Sequence, residues 1–119
     1  MKLNQSEMKL MELIWEHEPV GSGELVALSE KRMGWKKSTM YTVLSHLVKK
    51  GAAANRESVV TSLRDRDSTL SERSENIVGA DFGGSLPMFL TAFFGGRKLS
   101  AAEAEELKAL IDSYTEDKA

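Results

Sequence analysis

Residues 37–50, Lys37-Ser38-Thr39-Met40-Tyr41-Thr42-Val43-Leu44-Ser45-His46-Leu47-Val48-Lys49-Lys50, followed by Gly51, decide how this chain reads. Apolar side chains recur there at helical spacing, Gly51 suits a left-handed C-terminal cap, and the closing lysines complement the helix dipole. At about 100° per residue, Met40, Leu44, Leu47 and Val48 fall within about 60° of Leu44, the expected core stripe. The opposite side holds Thr39, Thr42, His46 and Lys49, with Ser38 and Ser45 flanking. This face combines short hydrogen-bonding side chains with cationic ends. It holds no carboxylate, which phosphates would repel. A major groove about 12 Å wide admits one such helix, and short polar groups let its backbone approach the base edges.

Upstream, Asn4 and Glu7 form a capping-box pattern, and Met8, Met11, Ile14 and Trp15 follow at helical spacing until Pro19 and Gly21 end the helix. A second helix starts at Gly21–Ser22 with Leu25, Val26 and Leu28, and residues 33–36 connect it to the third. Downstream, Ala52–Asn55, Arg56–Glu57–Ser58 and Val59–Val60–Thr61 read as a small hairpin. The order helix–helix–turn–helix–wing favours DNA binding by a winged helix. Asp65 then caps a fourth helix carrying Leu70, Ile77 and Val78, broken at Gly83–Gly84. Ser85 caps an apolar fifth helix with Pro87 in its first turn. Ser100 with Glu103 reads as a second capping box, opening a sixth helix whose Leu107, Leu110, Ile111 and Tyr114 share one face.

The charge is unevenly placed. Residues 1–30 carry a balance of −4 and residues 57–119 one of −5, whereas residues 31–56 hold seven cations and no acid. A basic island in a chain of net charge −2 is an electrostatic footprint that nucleic acid or an acidic partner would read; a solvated basic surface is the plain alternative. With 119 residues, one small core is expected, and 41% hydrophobic content is too high for disorder. The absence of cysteine excludes disulfides, thiolate metal sites and thiol catalysis. Enzyme motifs are missing: there is no GxxxxGK[ST] or HExxH, and Gly21-x-Gly23 lacks a third glycine. Neither a signal peptide nor a membrane span is evident, so a cytoplasmic protein with no membrane partner, cofactor or metal is expected.

Glu7–Met8, Met11 and Trp15, then Gly34–Trp35, Ser38–Thr39, Tyr41–Thr42, Leu44, Leu47 and Lys50–Gly51, together resemble the penicillinase-repressor family (BlaI/MecI/CopY). Phe82–Gly83–Gly84–Ser85–Leu86, Lys98–Leu99–Ser100 and Leu107, Leu110 and Ile111 extend the resemblance over nearly the whole chain in one register. It implies a homodimeric transcriptional repressor on an inverted-repeat operator. The expected fold is mainly α: a winged helix-turn-helix with a small β-hairpin wing over residues 1–63, and helical dimerisation elements over residues 64–119.

By position, the family's base-reading segment falls on Ser38, Thr39, Thr42 and His46, the face chosen by the helical wheel. Lys37, Ser45, Lys49 and the wing's Arg56 complete the expected DNA-binding set. His46 stands where arginine or lysine is frequent in the family, and Val60–Thr61–Ser62 replaces its usual Tyr-x-Pro. The resemblance assigns dimerisation to Leu86, Phe89, Leu90, Phe93, Leu107, Leu110, Ile111 and Tyr114. It also implies regulatory cleavage near Ala92–Phe93 through a sensor metalloprotease pathway, with Ala92 replacing an asparagine. Copper-responsive members carry C-terminal cysteines that are absent here. Outside the family, the alternative is a helical interaction module that binds an acidic partner through residues 31–56. Trp15 and Trp35 are expected to pack in the core, and His17 to be a plain surface histidine.

Overall fold

The computed structural model describes residues 1–116. In chain order the elements are α1 (Gln5–His17), β1 (Val20–Gly21), α2 (Ser22–Met33), α3 (Lys37–Lys49), β2 (Ala53–Arg56), β3 (Val59–Ser62), α4 (Arg66–Phe82), α5 (Leu86–Phe94) and α6 (Ala101–Tyr114). Two compact units result, Met1–Ile77 and the segment from Val78 onward, and the division falls within α4.

The first unit is a winged helix. Asn4 and Glu7 close a complete capping box at 2.8 Å in both directions and start α1. Gly34 and Gly51, at φ of +69° and +77°, let the chain leave α2 and α3 by left-handed turns that a Cβ would strain. β2 and β3 pair antiparallel around a two-residue turn at Glu57–Ser58, both at positive φ. One strand was not expected: Val20–Gly21 pairs with Val60 and Val59, giving a three-stranded sheet in the order β1-β3-β2. Two residues are too few for an alternating pattern, so only the pairing reveals this strand.

Leu10, Met11, Leu13 and Ile14 of α1, Leu25 of α2, Met40, Leu44 and Leu47 of α3, and Val20, Ala53 and Val60 of the sheet make one core. Burying a side chain of this size contributes about 1.5–3 kcal/mol, so the core sets how each helix is rotated. Two expectations change accordingly. α3 is wedged between α1, α2 and β2, so its buried arc is centred between Met40 and Leu47. Val43 is therefore inside at 8% exposure, and Val48 lies outside at 41%. In α1 the buried set shifts to Leu10, Met11, Leu13 and Ile14, while Met8 and Trp15 pack at its margin with Trp35.

Asp65 caps α4 by accepting from Ser68 N–H at 2.7 Å. Beyond the wing, Trp15 Nε1 donates to the Arg64 carbonyl at 2.9 Å, Arg66 pairs with Glu12 at 3.0 Å, and Arg73 donates to the Leu3 carbonyl. The compact unit thus continues past Leu63 into α4. Of the expected α4 stripe, Leu70 and Val78 are half-buried and Ile77 is exposed; Thr69 is the buried α4 residue.

In the second unit Ser85 and Ser100 each accept a backbone N–H, from Met88 at 3.2 Å and Glu103 at 3.1 Å, and begin α5 and α6. Glu103 does not return the bond as Glu7 does, so Ser100 provides half of the expected capping box. Phe82, Phe89, Phe93 and Phe94 form a chain of ring contacts with centroids 5.4 to 6.3 Å apart. No residue of α5 or α6 is buried within one chain.

Candidate nucleic-acid interface

α3 presents the expected face to solvent. Lys37, Ser38, Thr39, Thr42, Ser45, His46 and Lys49 are all exposed, as is Arg56 at the end of β2. The opposite side is anchored in the core, and Tyr41 ties the helix to α2 by donating its hydroxyl to Ser22 Oγ at 3.2 Å. Thr42 Oγ1 donates to the Ser38 carbonyl at 2.9 Å, which leaves its lone pairs free to accept.

Helix starts sort by side-chain cap. α1, α4, α5 and α6 begin with an Asn, Asp or Ser that accepts a first-turn N–H. α2 and α3 begin at Gly21 and Lys36, with no side-chain cap. α3 therefore keeps first-turn N–H groups that an anion can accept and has no acid in its first turn, whereas at the start of α2 the buried Ser22 N–H already donates to the Ser58 carbonyl at 2.8 Å and Glu24 stands in the first turn.

The basic island is smaller than its sequence count. Arg32 makes a bidentate pair with Glu16 at 3.0 and 2.8 Å. That hydrogen bond, aided by the Arg32 charge, outweighs desolvation and holds the Glu16 carboxyl below its ordinary value. Lys50 turns inward, donating to Glu7 Oε1 at 2.6 Å and to the Lys2 carbonyl at 2.8 Å. Glu7 is 1% exposed, and its Oε2 has no partner. Burial raises its pKa, but bonds from Lys50 and the Asn4 backbone, with the Lys50 and His46 charges, bring it below the ordinary value. Among the described residues, Lys31, Lys36, Lys37, Lys49 and Arg56 form no ion pair. Five of the seven cations thus remain available to a partner. Neighbouring lysines in sequence give no sign of this split.

Leu90, Phe93, Leu107 and Leu110 line an open groove of about 410 Å³ between α5 and α6, together with Phe94, Leu99, Glu103 and Glu106. Leu86, Ile111 and Tyr114 are exposed outside that lining, Tyr114 at 82%, and Phe89 is half-buried. Ala92–Phe93 lies in the last turn of α5, with Arg97 5.8 Å from the Phe93 ring centre. His17 Nδ1 hydrogen-bonds the Leu13 carbonyl at 2.9 Å, closing the last turn of α1. Asn55, which no spacing singled out, is brought beside Ser45 and Lys49 by the turn after α3. Among the described residues no His, Asp or Glu cluster is arranged to hold a metal, and no single helix is long and apolar enough to cross a membrane.

A penicillinase repressor from Bacillus licheniformis is 24% identical over 117 residues, covering 95% of this chain and 91% of that one. A solution structure of the DNA-binding domain of the repressor BlaI is 28% identical, with a TM-score of 0.52 over 55% of this chain and 84% of the other. The monomeric form of B. licheniformis BlaI with the blaP half-operator is 27% identical, with a TM-score of 0.49 over 56% of this chain and 87% of that one. The family described as penicillinase repressor matches residues 3–113. This chain belongs to the penicillinase repressor family.

Proposed function

We propose that the chain is a DNA-binding transcriptional repressor that acts as a homodimer on an inverted-repeat operator. The observation that carries this reading is the carboxylate-free, fully exposed face of α3 on a winged helix, in a chain of this family. Ser38, Thr39, Thr42, Ser45 and His46 read base edges, while Lys37, Lys49 and Arg56 hold phosphates. Thr42, with its proton committed to Ser38, reads an amino group on adenine or cytosine. The uncapped start of α3 adds neutral donors to the backbone.

Dimerisation is supported by the second unit, where no residue of α5 or α6 is fully buried within one chain and the two helices share an open apolar groove. A two-fold partner covers such a surface and spaces two α3 helices along the duplex. Cleavage at Ala92–Phe93 by a sensor metalloprotease pathway would detach α6 and uncouple the half-sites, a loss of about 10²-fold or more in affinity. Duplexes selected from a random pool should carry an inverted repeat, and sedimentation at micromolar concentration should give a dimer. A monomer that binds no duplex, but captures an acidic protein through residues 31–56, would favour an interaction module instead. A chain that stays full-length while cell-wall antibiotics induce its target genes would remove cleavage.

A further inference from the structure

Beside α3 lies an open notch of about 430 Å³, lined by Tyr41, Leu44, Ser45, Val48, Lys49 and Asn55. No carboxylate lines it, whereas the depression on the α1–α2 side carries Glu12 and Glu16. Its rim is mixed: Ser45, Lys49 and Asn55 are exposed polar groups, and Val48 offers a β-branched apolar surface that is 41% exposed. An exposed valine beside an ammonium and an amide, in a cationic setting, suits a ligand that is apolar on one side and anionic on the other.

Helix geometry indicates which ligand this is. Measured from Thr42 at the middle of the base-facing side, Lys49 lies about 20° around α3, Ser45 about 60°, Tyr41 about 100° and Val48 about 120°. All four displacements have the same sign and lead towards β2. A helix about 10–12 Å across fills a major groove about 12 Å wide, so its flank meets the groove wall. That wall is the sugar–phosphate backbone, anionic at the phosphate and carbon-bound hydrogen at the deoxyribose.

We infer that the α3–β2 notch seats the DNA backbone bordering the groove that α3 enters. Lys49 Nζ and the Asn55 side-chain amide donate to phosphate oxygens, and Val48 packs against the deoxyribose. This rests on the DNA-binding reading above and adds Val48 and Asn55 to the interface, neither of which touches a base. Contacts of this kind position the protein without carrying sequence information.

The test uses the full chain with a duplex selected from a random pool and an unrelated duplex of equal length. Asn55→Ala should weaken both by about tenfold and leave the salt slope unchanged, since it removes a neutral donor to a charged group. Val48→Lys should tighten both and steepen the slope of log affinity against log salt by about 0.9 per bound chain. A misfolded variant cannot give that gain. Phosphate ethylation should interfere with the unsubstituted chain at backbone positions flanking each half-site, and Asn55→Ala should weaken that interference at one of them, where Lys49 alone then remains. Loss confined to the selected duplex would make these residues base readers and overturn the proposal. So would Val48→Lys and Asn55→Ala variants that bind as the unsubstituted chain does while Thr42→Ala loses discrimination. If the unsubstituted chain binds neither duplex, the DNA-binding reading itself fails, and this one with it.

Discussion

Lys49 and Lys50 are adjacent cations with opposite expected roles. Lys49 is exposed and forms no ion pair, while Lys50 is held by the buried carboxylate of Glu7 at 2.6 Å. Each phosphate neutralised changes the slope of log affinity against log salt by about 0.9. Five available cations per chain set an upper limit of ten in a dimer and a slope near −9, or a loss of about 10⁵ between 50 and 200 mM salt. Lys49→Ala should flatten this slope by about 0.9 per chain, near 1.8 per dimer, and leave stability within about 0.5 kcal/mol. Lys50→Ala should leave the slope unchanged. It strands Glu7, already missing a partner for Oε2, and should lower stability by about 1–3 kcal/mol. The fully buried limit of about 3–5 kcal/mol does not apply, because the Lys50 side chain is 38% exposed and water enters its place. Fluorescence anisotropy on labelled duplex across a salt series gives the slopes, and urea unfolding gives the stabilities. If Lys50→Ala flattens the slope as Lys49→Ala does, with no change in the urea midpoint, the inward pairing of Lys50 is refuted.

Thr42→Ala should weaken a selected site by about 1–3 kcal/mol and leave binding to unrelated duplex unchanged, read by competition gel shift. Ile111→Asp, at a position 54% exposed in one chain, should leave the unfolding midpoint of the DNA-binding unit in place. Sedimentation should show monomers, because pairing would bury an unpaired charge. Glu7 has its folded pKa below the ordinary 4.5, so its contribution is fully present above 4.5 and is lost as pH falls through the folded value. The stability difference between the unsubstituted chain and Glu7→Gln should therefore shrink on acidification below pH 4.5; a difference constant with pH would remove Glu7 as a linked group.

Local chemistry was legible in the sequence, and long-range pairing was not. Asn4, Asp65, Ser85 and Ser100 mark helix starts because each cap bonds an N–H three residues on. Gly51 marks a helix end because its conformation is local to one residue. The polar side of α3 was equally readable, since side chains repeat every 3.6 residues whatever packs on the other side. Tertiary structure decided the rest. Val43 and Val48 have the same side chain, and only the positions of α1, α2 and β2 around α3 put one inside and the other out. Lys49 and Lys50 are likewise identical, and only the approach of α1 gives Lys50 a buried carboxylate. β1 exists because β3 passes beside Val20–Gly21, and Asn55 reaches the flank of α3 because the chain folds back after Gly51. In each case the partners are set by the packing of separate elements, which no window of neighbouring residues contains.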